Sequence, residues 1–179
     1  STTVIPTPVG CVRGAGGPHD QGYQLVYRYV MRSAAALQAS TANPGTAATF
    51  DTVLNLTAAC ASTAGALACN DDVSAMETRS TVSTRTLRPA GSVVYVVVGG
   101  YTPPLSGSLP FGNFELTLRE LPPVATGAAC TAMEVCAAGS HCVVATGATT
   151  ATCVADGTLD ARCRMTGSAC DDGLGCTVP

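Results

Sequence analysis

TFDTVLNLTAACASTAGALACNDD, residues 49–72, decides how the chain is read. Its first half alternates: Phe50, Val53 or Leu54, and Leu56 are apolar between polar neighbours. That period of two is the mark of a β-strand with one buried face. Cys60 and Cys69 then bracket a small loop holding Gly65, and Asn70, Asp71 and Asp72 follow at once. As strand ends flanking a hairpin, the two cysteines fall within bonding range and are expected to form a Cys60–Cys69 staple. Closing so short a loop stabilises by roughly 2–3 kcal/mol in the chain-entropy model. A redox role is disfavoured, because no Lys, His or Cys-x-x-Cys spacing stands nearby to lower a thiol pKa. Two readings stay open for the acids. Asp51, Asn70, Asp71 and Asp72 offer hard oxygens of the kind calcium takes. Asn and Asp side chains also cap main-chain NH groups in turns.

The same periodicity extends in both directions. YQLVYRYVM (23–31) puts Tyr23, Leu25, Tyr27, Tyr29 and Met31 on one face. SAAALQAS (33–40) reads as a further strand or its edge, and ANPGTA after it as a turn. STVSTRTLRP (80–89) is rich in Ser and Thr and is expected to be an exposed strand. SVVYVVVGGY (92–101) is apolar on both faces, as a central strand is. NFELTLREL (113–121) alternates strictly, with Phe114, Leu116 and Leu118 inward. Short strands between turn signals, with no amphipathic helical pattern, give an all-β sandwich.

Composition narrows the function classes. The chain has 179 residues, net charge −3, and 12% charged residues. All nine basic residues are Arg and they are scattered, so no basic footprint for nucleic acid is present. The longest strongly apolar run, 92–100, is too short to cross a bilayer as a helix, so no membrane insertion is expected. Ser1 reads as the start of a processed chain. Ten cysteines, with no Cys-x-x-Cys pair and two distant histidines, fit disulfides better than zinc. That places the protein outside the reducing cytoplasm: secreted, extracellular or at the cell surface.

The chain divides by pattern into an extended arm (1–17), a sandwich (18–121), a Pro-marked linker (122–129) and a disulfide-rich, loop-dominated C-terminal domain (130–179). The last repeats itself. CAAGSHC (136–142) and CDDGLGC (170–176) share the frame Cys-x-x-Gly-x-x-Cys. Gly139 and Gly173 take the same place, where a tight turn calls for positive φ. If each copy bonds its first cysteine to its third and its second to its fourth, the bonds are Cys130–Cys142, Cys136–Cys153 and Cys163–Cys176. Cys170 and Cys11 are then left to pair with each other, within one chain or between neighbours. Sequence alone does not fix this connectivity.

Four separate pieces together resemble the bacterial pre-peptidase C-terminal domain family over about 18–121. They are Phe50-Asp51-Thr52-Val53-Leu54, Asn70-Asp71-Asp72, Tyr95-Val96-Val97-Val98-Gly99-Gly100-Tyr101, and Gly112-Asn113-Phe114-Glu115-Leu116. The resemblance implies a jelly-roll-like antiparallel β-sandwich and a non-catalytic appendage of secreted enzymes or surface proteins, some of which bind calcium. Two departures weaken the calcium reading. The entry before the first strand keeps only Asp20 of its acids, and glycine (Gly99 or Gly100) stands where the family's turn carries Asp.

No arrangement for catalysis is legible. There is no Gly-x-Ser-x-Gly elbow, and His19 and His141 have no obvious Ser or Asp partner. The expectation is a secreted, non-catalytic structural or adhesive protein that can self-assemble into a fibre or contact a surface polymer. The alternative is an accessory substrate-binding module of a secreted hydrolase, which would display an aromatic platform.

Overall fold

A computed structural model describes residues 24–60, 66–101, 111–131, 133–145 and 148–158. The chain separates into two compact units, 1–120 and 121–179, and each is described by itself.

The first unit is a β-sandwich. Its strands are β1 (Leu25–Val30), β2 (Ala36–Ser40), β3 (Thr52–Thr57), β4 (Ala66–Asn70), β5 (Thr81–Ser83), β6 (Val93–Gly100) and β7 (Thr117–Leu121). One sheet has the order β1-β6-β3-β4 and the other β5-β2-β7. Among these strands only β3 and β4 are joined within one sheet. Every other connection crosses between sheets, as in a jelly-roll-like sandwich. β3 lies antiparallel to β6 with Leu54 opposite Val98 and Leu56 opposite Val96.

The core is made where the two sheets face each other. Leu54, Leu56, Val94, Val96 and Val98 from the larger sheet meet Ala35, Leu37, Ala39 and Val82 from the smaller. Leu116, Leu118 and Phe114 lean on the same cluster, as the alternation of 113–121 predicts. With so few aromatic residues, small and β-branched side chains fill the layer. Burying one of the leucines or valines contributes roughly 1.5–3 kcal/mol. Gly112 is required by close approach, since a Cβ there would stand 2.7 Å from the Phe50 ring.

Strand β5 departs from expectation. Val82, Ser83 and Thr84 are buried rather than exposed. Their hydroxyls make this cheap: Thr84 Oγ1 accepts from Leu37 N at 3.0 Å and donates to Thr86 O at 3.1 Å.

The second unit holds β8 (Ser140–Val143) and β9 (Thr152–Ala155), an antiparallel pair. The sequence, which lacks periodicity there, gives no warning of this hairpin. Gly139 just before β8 has φ 75°, the left-handed turn its place in the repeat calls for. Among the described residues there is no helix, and no helix is long and apolar enough to cross a membrane.

Candidate functional sites

The larger sheet carries the acidic corner at one end. Asp51 leads into β3, and Asn70, Asp71 and Asp72 close β4. The register sets Leu54 opposite Asn70, so the four residues converge on one corner of the sandwich. Their proximity is felt electrostatically. Burial first, and then the charges of Asp72 and Asp71, push the Asp51 carboxyl up to about 6. Asp51 Oδ1 is shielded from solvent and accepts no hydrogen bond.

Local capping uses part of the set. Asn70 Nδ2 donates to Asp72 O at 2.6 Å and to Thr81 O at 3.0 Å. Asp71 Oδ1 accepts from Asp72 N at 3.0 Å, and Asp71 O accepts from the Ser80 hydroxyl at 2.5 Å. Asn70 and Asp71 therefore act as turn caps. Asp51 has no such duty. For a calcium ion, Asp51, Asp71 and Asp72 would supply the carboxylate oxygens, and the unused Asp51 oxygen fits that chemistry.

The cysteines correct one expectation. Cys60 is an exposed free thiol, whereas Cys69 is disulfide-bonded, so the Cys60–Cys69 staple does not form. Register is the reason. Cys69 stands opposite Asn55, and a bulge at Leu56/Thr57 ends the ladder at Thr57–Ala66. Cys60 lies beyond that point, in the connection. The half-cystine bonded to Cys69 lies outside the described residues.

In the second unit the expected pairs are present. Cys130 bonds Cys142 and Cys136 bonds Cys153, with Cα separations of 6.0 and 5.6 Å. The sulfurs of Cys130, Cys136 and Cys153 lie within 4.8 Å of one another. All three are committed to disulfides, so this cluster is a staple and not a zinc centre. Cys11, Cys163, Cys170 and Cys176 lie outside the described residues, as do His19, Asp20 and Gly173. The expected Cys163–Cys176 and Cys11–Cys170 pairs therefore fall there too.

One constellation is absent from the sequence reading. His141 Nδ1 pairs with the Asp156 carboxylate. Fifteen residues apart, the two meet because β8 and β9 pair with His141 opposite Val154. The adjacent Ser140 hydroxyl is engaged with Thr126 Oγ1 at 2.6 Å.

Among the described residues the ring contacts of the sandwich are edge-on or tilted and not stacked and coplanar. Tyr27 meets Phe114 edge-on at 6.5 Å and 87°, and Phe50 meets Phe114 at 6.4 Å and 43°. At the outer margin of the larger sheet, Leu25, Val26, Tyr27 and Val30 of β1 are 53%, 39%, 38% and 42% exposed.

These features define an all-β sandwich followed by a disulfide-stapled hairpin. No family model, curated protein or solved structure matches the chain.

Proposed function

We propose that this chain is a non-catalytic structural or adhesive protein of the extracellular space or cell surface, and that it associates with copies of itself. The observation that carries the reading is strand β1. Among the described strands it pairs only with β6, so no described strand covers its other side. Natural sheets protect such edges with charge, proline, bulges or short strands. β1 has six residues in unbroken register, no Pro or Gly, and Arg28 as its single charge. It exposes apolar side chains on both of its faces. An edge of this kind accepts another strand through main-chain hydrogen bonds, with the side chains setting register. An antiparallel pairing of two copies centred on Tyr27 puts Arg28 opposite Val26, so no like charges meet. The two disulfides support an oxidising environment. The resemblance to pre-peptidase C-terminal domains supports a non-catalytic role. Calcium bound by Asp51, Asp71 and Asp72 would neutralise the corner that ends β4.

Light scattering across a concentration series, with negative-stain microscopy, tests this. Concentration-dependent oligomers or filaments are expected. Val26→Lys, at an exposed edge position, should abolish them while leaving the circular dichroism unchanged. Monomers at every concentration overturn the reading.

A further inference from the structure

Four half-cystines of the second unit gather at the β8–β9 hairpin, and the hairpin does not pair the two it carries. Cys142 and Cys153 stand directly opposite each other across the strands, so their side chains share one face. Cys142 is nevertheless bonded to Cys130, and Cys153 to Cys136. Main-chain hydrogen bonds fix the other two beside them. Cys130 N donates to Ala151 O at 3.1 Å and Cys153 N to Ala128 O at 2.9 Å, which lays 128–130 alongside β9. Val124 N donates to Val135 O at 2.9 Å and Ala137 N to Val124 O at 2.8 Å, which holds the chain on both sides of Cys136.

The result is two disulfides in contact. The sulfurs of Cys130, Cys136 and Cys153 lie within 4.8 Å of one another, although Cys130 belongs to a different bond from the other two. Cys130, Cys136 and Cys153 are 7%, 5% and 0% exposed. Cys142 is only partly buried and is the sulfur that solvent reaches most readily.

We propose that this cluster is a thiol–disulfide exchange site. A low-molecular-weight thiol entering at Cys142 isomerises the native bonds to Cys130–Cys136 and Cys142–Cys153. The entering thiolate attacks Cys142 Sγ, and the electron pair of the Cys130–Cys142 bond leaves on Cys130 Sγ. The Cys130 thiolate attacks Cys136 Sγ beside it and breaks Cys136–Cys153, leaving the pair on Cys153 Sγ. The Cys153 thiolate attacks Cys142 Sγ across the hairpin and expels the entering thiol as thiolate. Each step makes one S–S bond and breaks one, so no oxidant or reductant is consumed.

Geometry supports both the steps and the product. The second and third attacks are intramolecular between sulfurs already held together, which is where proximity accelerates most. Directly opposite residues of an antiparallel pair have Cα atoms about 4.5–5.5 Å apart, within the span a disulfide bridges. The Cys142–Cys153 bond therefore forms without moving either strand. The inference is independent of self-association, because all four cysteines belong to one unit of one chain.

Peptide mapping of the Cys60→Ser protein, which lacks the exposed thiol, tests it. The protein is incubated under native conditions with reduced glutathione as the probe thiol, quenched with acid and digested without reduction. Cleavage beside Glu134, Ala138 and Val144 puts the four cysteines on separate peptides. Before incubation only the native pairs are expected. Afterwards Cys130–Cys136 and Cys142–Cys153 should appear together. They should exceed the third pairing, Cys130–Cys153 with Cys136–Cys142, by at least about tenfold, because only Cys142 and Cys153 stand directly opposite each other. Native pairs alone, free thiols without new pairs, or all pairings in equal amount overturn the proposal. Cys142→Ser isolates the internal step by leaving Cys130 as a thiol. Without any added thiol it should yield Cys130–Cys136 alongside Cys136–Cys153, and Cys136–Cys153 alone overturns that step.

Discussion

Thr41 and Thr52 share a hydrogen bond of 2.6 Å between side-chain hydroxyls that are both fully buried. Thr41 follows β2 in one sheet and Thr52 begins β3 in the other, so the contact joins the two layers. Ser80 N completes it, reaching Thr41 Oγ1 at 3.0 Å and Thr52 Oγ1 at 2.9 Å. The Ser80 hydroxyl lies against both Thr52 O and Asp71 O and shares its single proton between these two carbonyls. Every member is satisfied from within, which is the condition for a buried polar network to stabilise.

Replacing Thr52 by Val keeps the shape and removes the hydroxyl. Thr41 loses a partner, and the Ser80 amide keeps only one acceptor. A loss of about 1–3 kcal/mol is expected, the cost of leaving buried groups under-satisfied. Chemical denaturation of Thr52→Val, Thr41→Val and the double variant checks it. The double variant should cost less than the sum, because both changes break the same contact.

Much of the sandwich is legible in the sequence because alternation reports burial on one face. The patterns at 49–60, 92–101 and 113–121 each contain the strand the fold builds. Strand β5 is legible as a strand within 80–89, but its burial is not, because Thr81 and Ser83 look like surface residues. Their hydroxyls find partners inside, as Thr81 Oγ1 does with Ser40 Oγ at 2.7 Å. The corner of Asp51, Asp71 and Asp72 is likewise legible from spacing once β3 and β4 are seen as a hairpin. The fate of Cys69 is not, because a single bulge shifts the register and spacing alone does not reveal it. His141 and Asp156 escape for a related reason: they become neighbours only when β8 and β9 pair, and four-residue strands carry too little alternation to be read.

Glu120 ties the end of the sandwich to the turn after β1. Its carboxylate accepts from Tyr29 OH at 3.0 Å, Ser33 N at 3.0 Å and Ser33 Oγ at 2.6 Å, and from Arg32 N. These donors, with Arg32 N and the Ser33 hydroxyl foremost, hold it at about 2. A depressed carboxylate stabilises the fold above its ordinary pKa of 4.5 and loses that contribution as pH falls toward 2. Glu120→Gln should therefore lower the thermal midpoint at pH 7. The gap to the native protein should narrow between pH 4.5 and pH 2, as melts across that range would record.

Asp51 titrates with the opposite sign. Its carboxyl is raised from 3.8 to about 6, so the folded chain holds that proton more tightly than the unfolded one. The contribution is present below about pH 4 and is lost as pH rises through 6. Asp51→Asn removes the charge, so it should be more stable than the native protein at pH 7, with the difference closing by pH 4. Calcium gives a second readout of the same corner. If Asp51, Asp71 and Asp72 hold the ion, millimolar calcium raises the native midpoint at pH 7 and has no effect on Asp51→Asn. An unchanged native midpoint assigns Asn70 and Asp71 to turn capping alone.

The tail should depend on its staples. Cys130–Cys142 and Cys136–Cys153 close separations of 12 and 17 residues around a small buried cluster with Val124 and Ala151. Each contributes roughly 3 kcal/mol in the chain-entropy model, more than so small a core replaces. Reduction should therefore abolish protection of the β8–β9 amides. Hydrogen exchange with and without reductant measures this, and persistent protection at His141 and Val154 after reduction would refute it.

Cys60 should be the described cysteine that reacts. It is an exposed thiol, while Cys69, Cys130, Cys136, Cys142 and Cys153 are all bonded. An alkylating reagent under native, non-reducing conditions should label the 33–79 tryptic peptide once, and chymotryptic cleavage after Leu67 should place the label on the Cys60 side. Parity gives this thiol a further consequence. Ten cysteines with Cys60 unpaired leave at least one more without a partner in the same chain. If copies associate through β1, two such thiols on neighbouring chains can oxidise to a covalent link. Non-reducing electrophoresis of aged native protein should then show dimers that reductant collapses, and Cys60→Ser should prevent them. Dimers that persist in Cys60→Ser would assign the link to another cysteine.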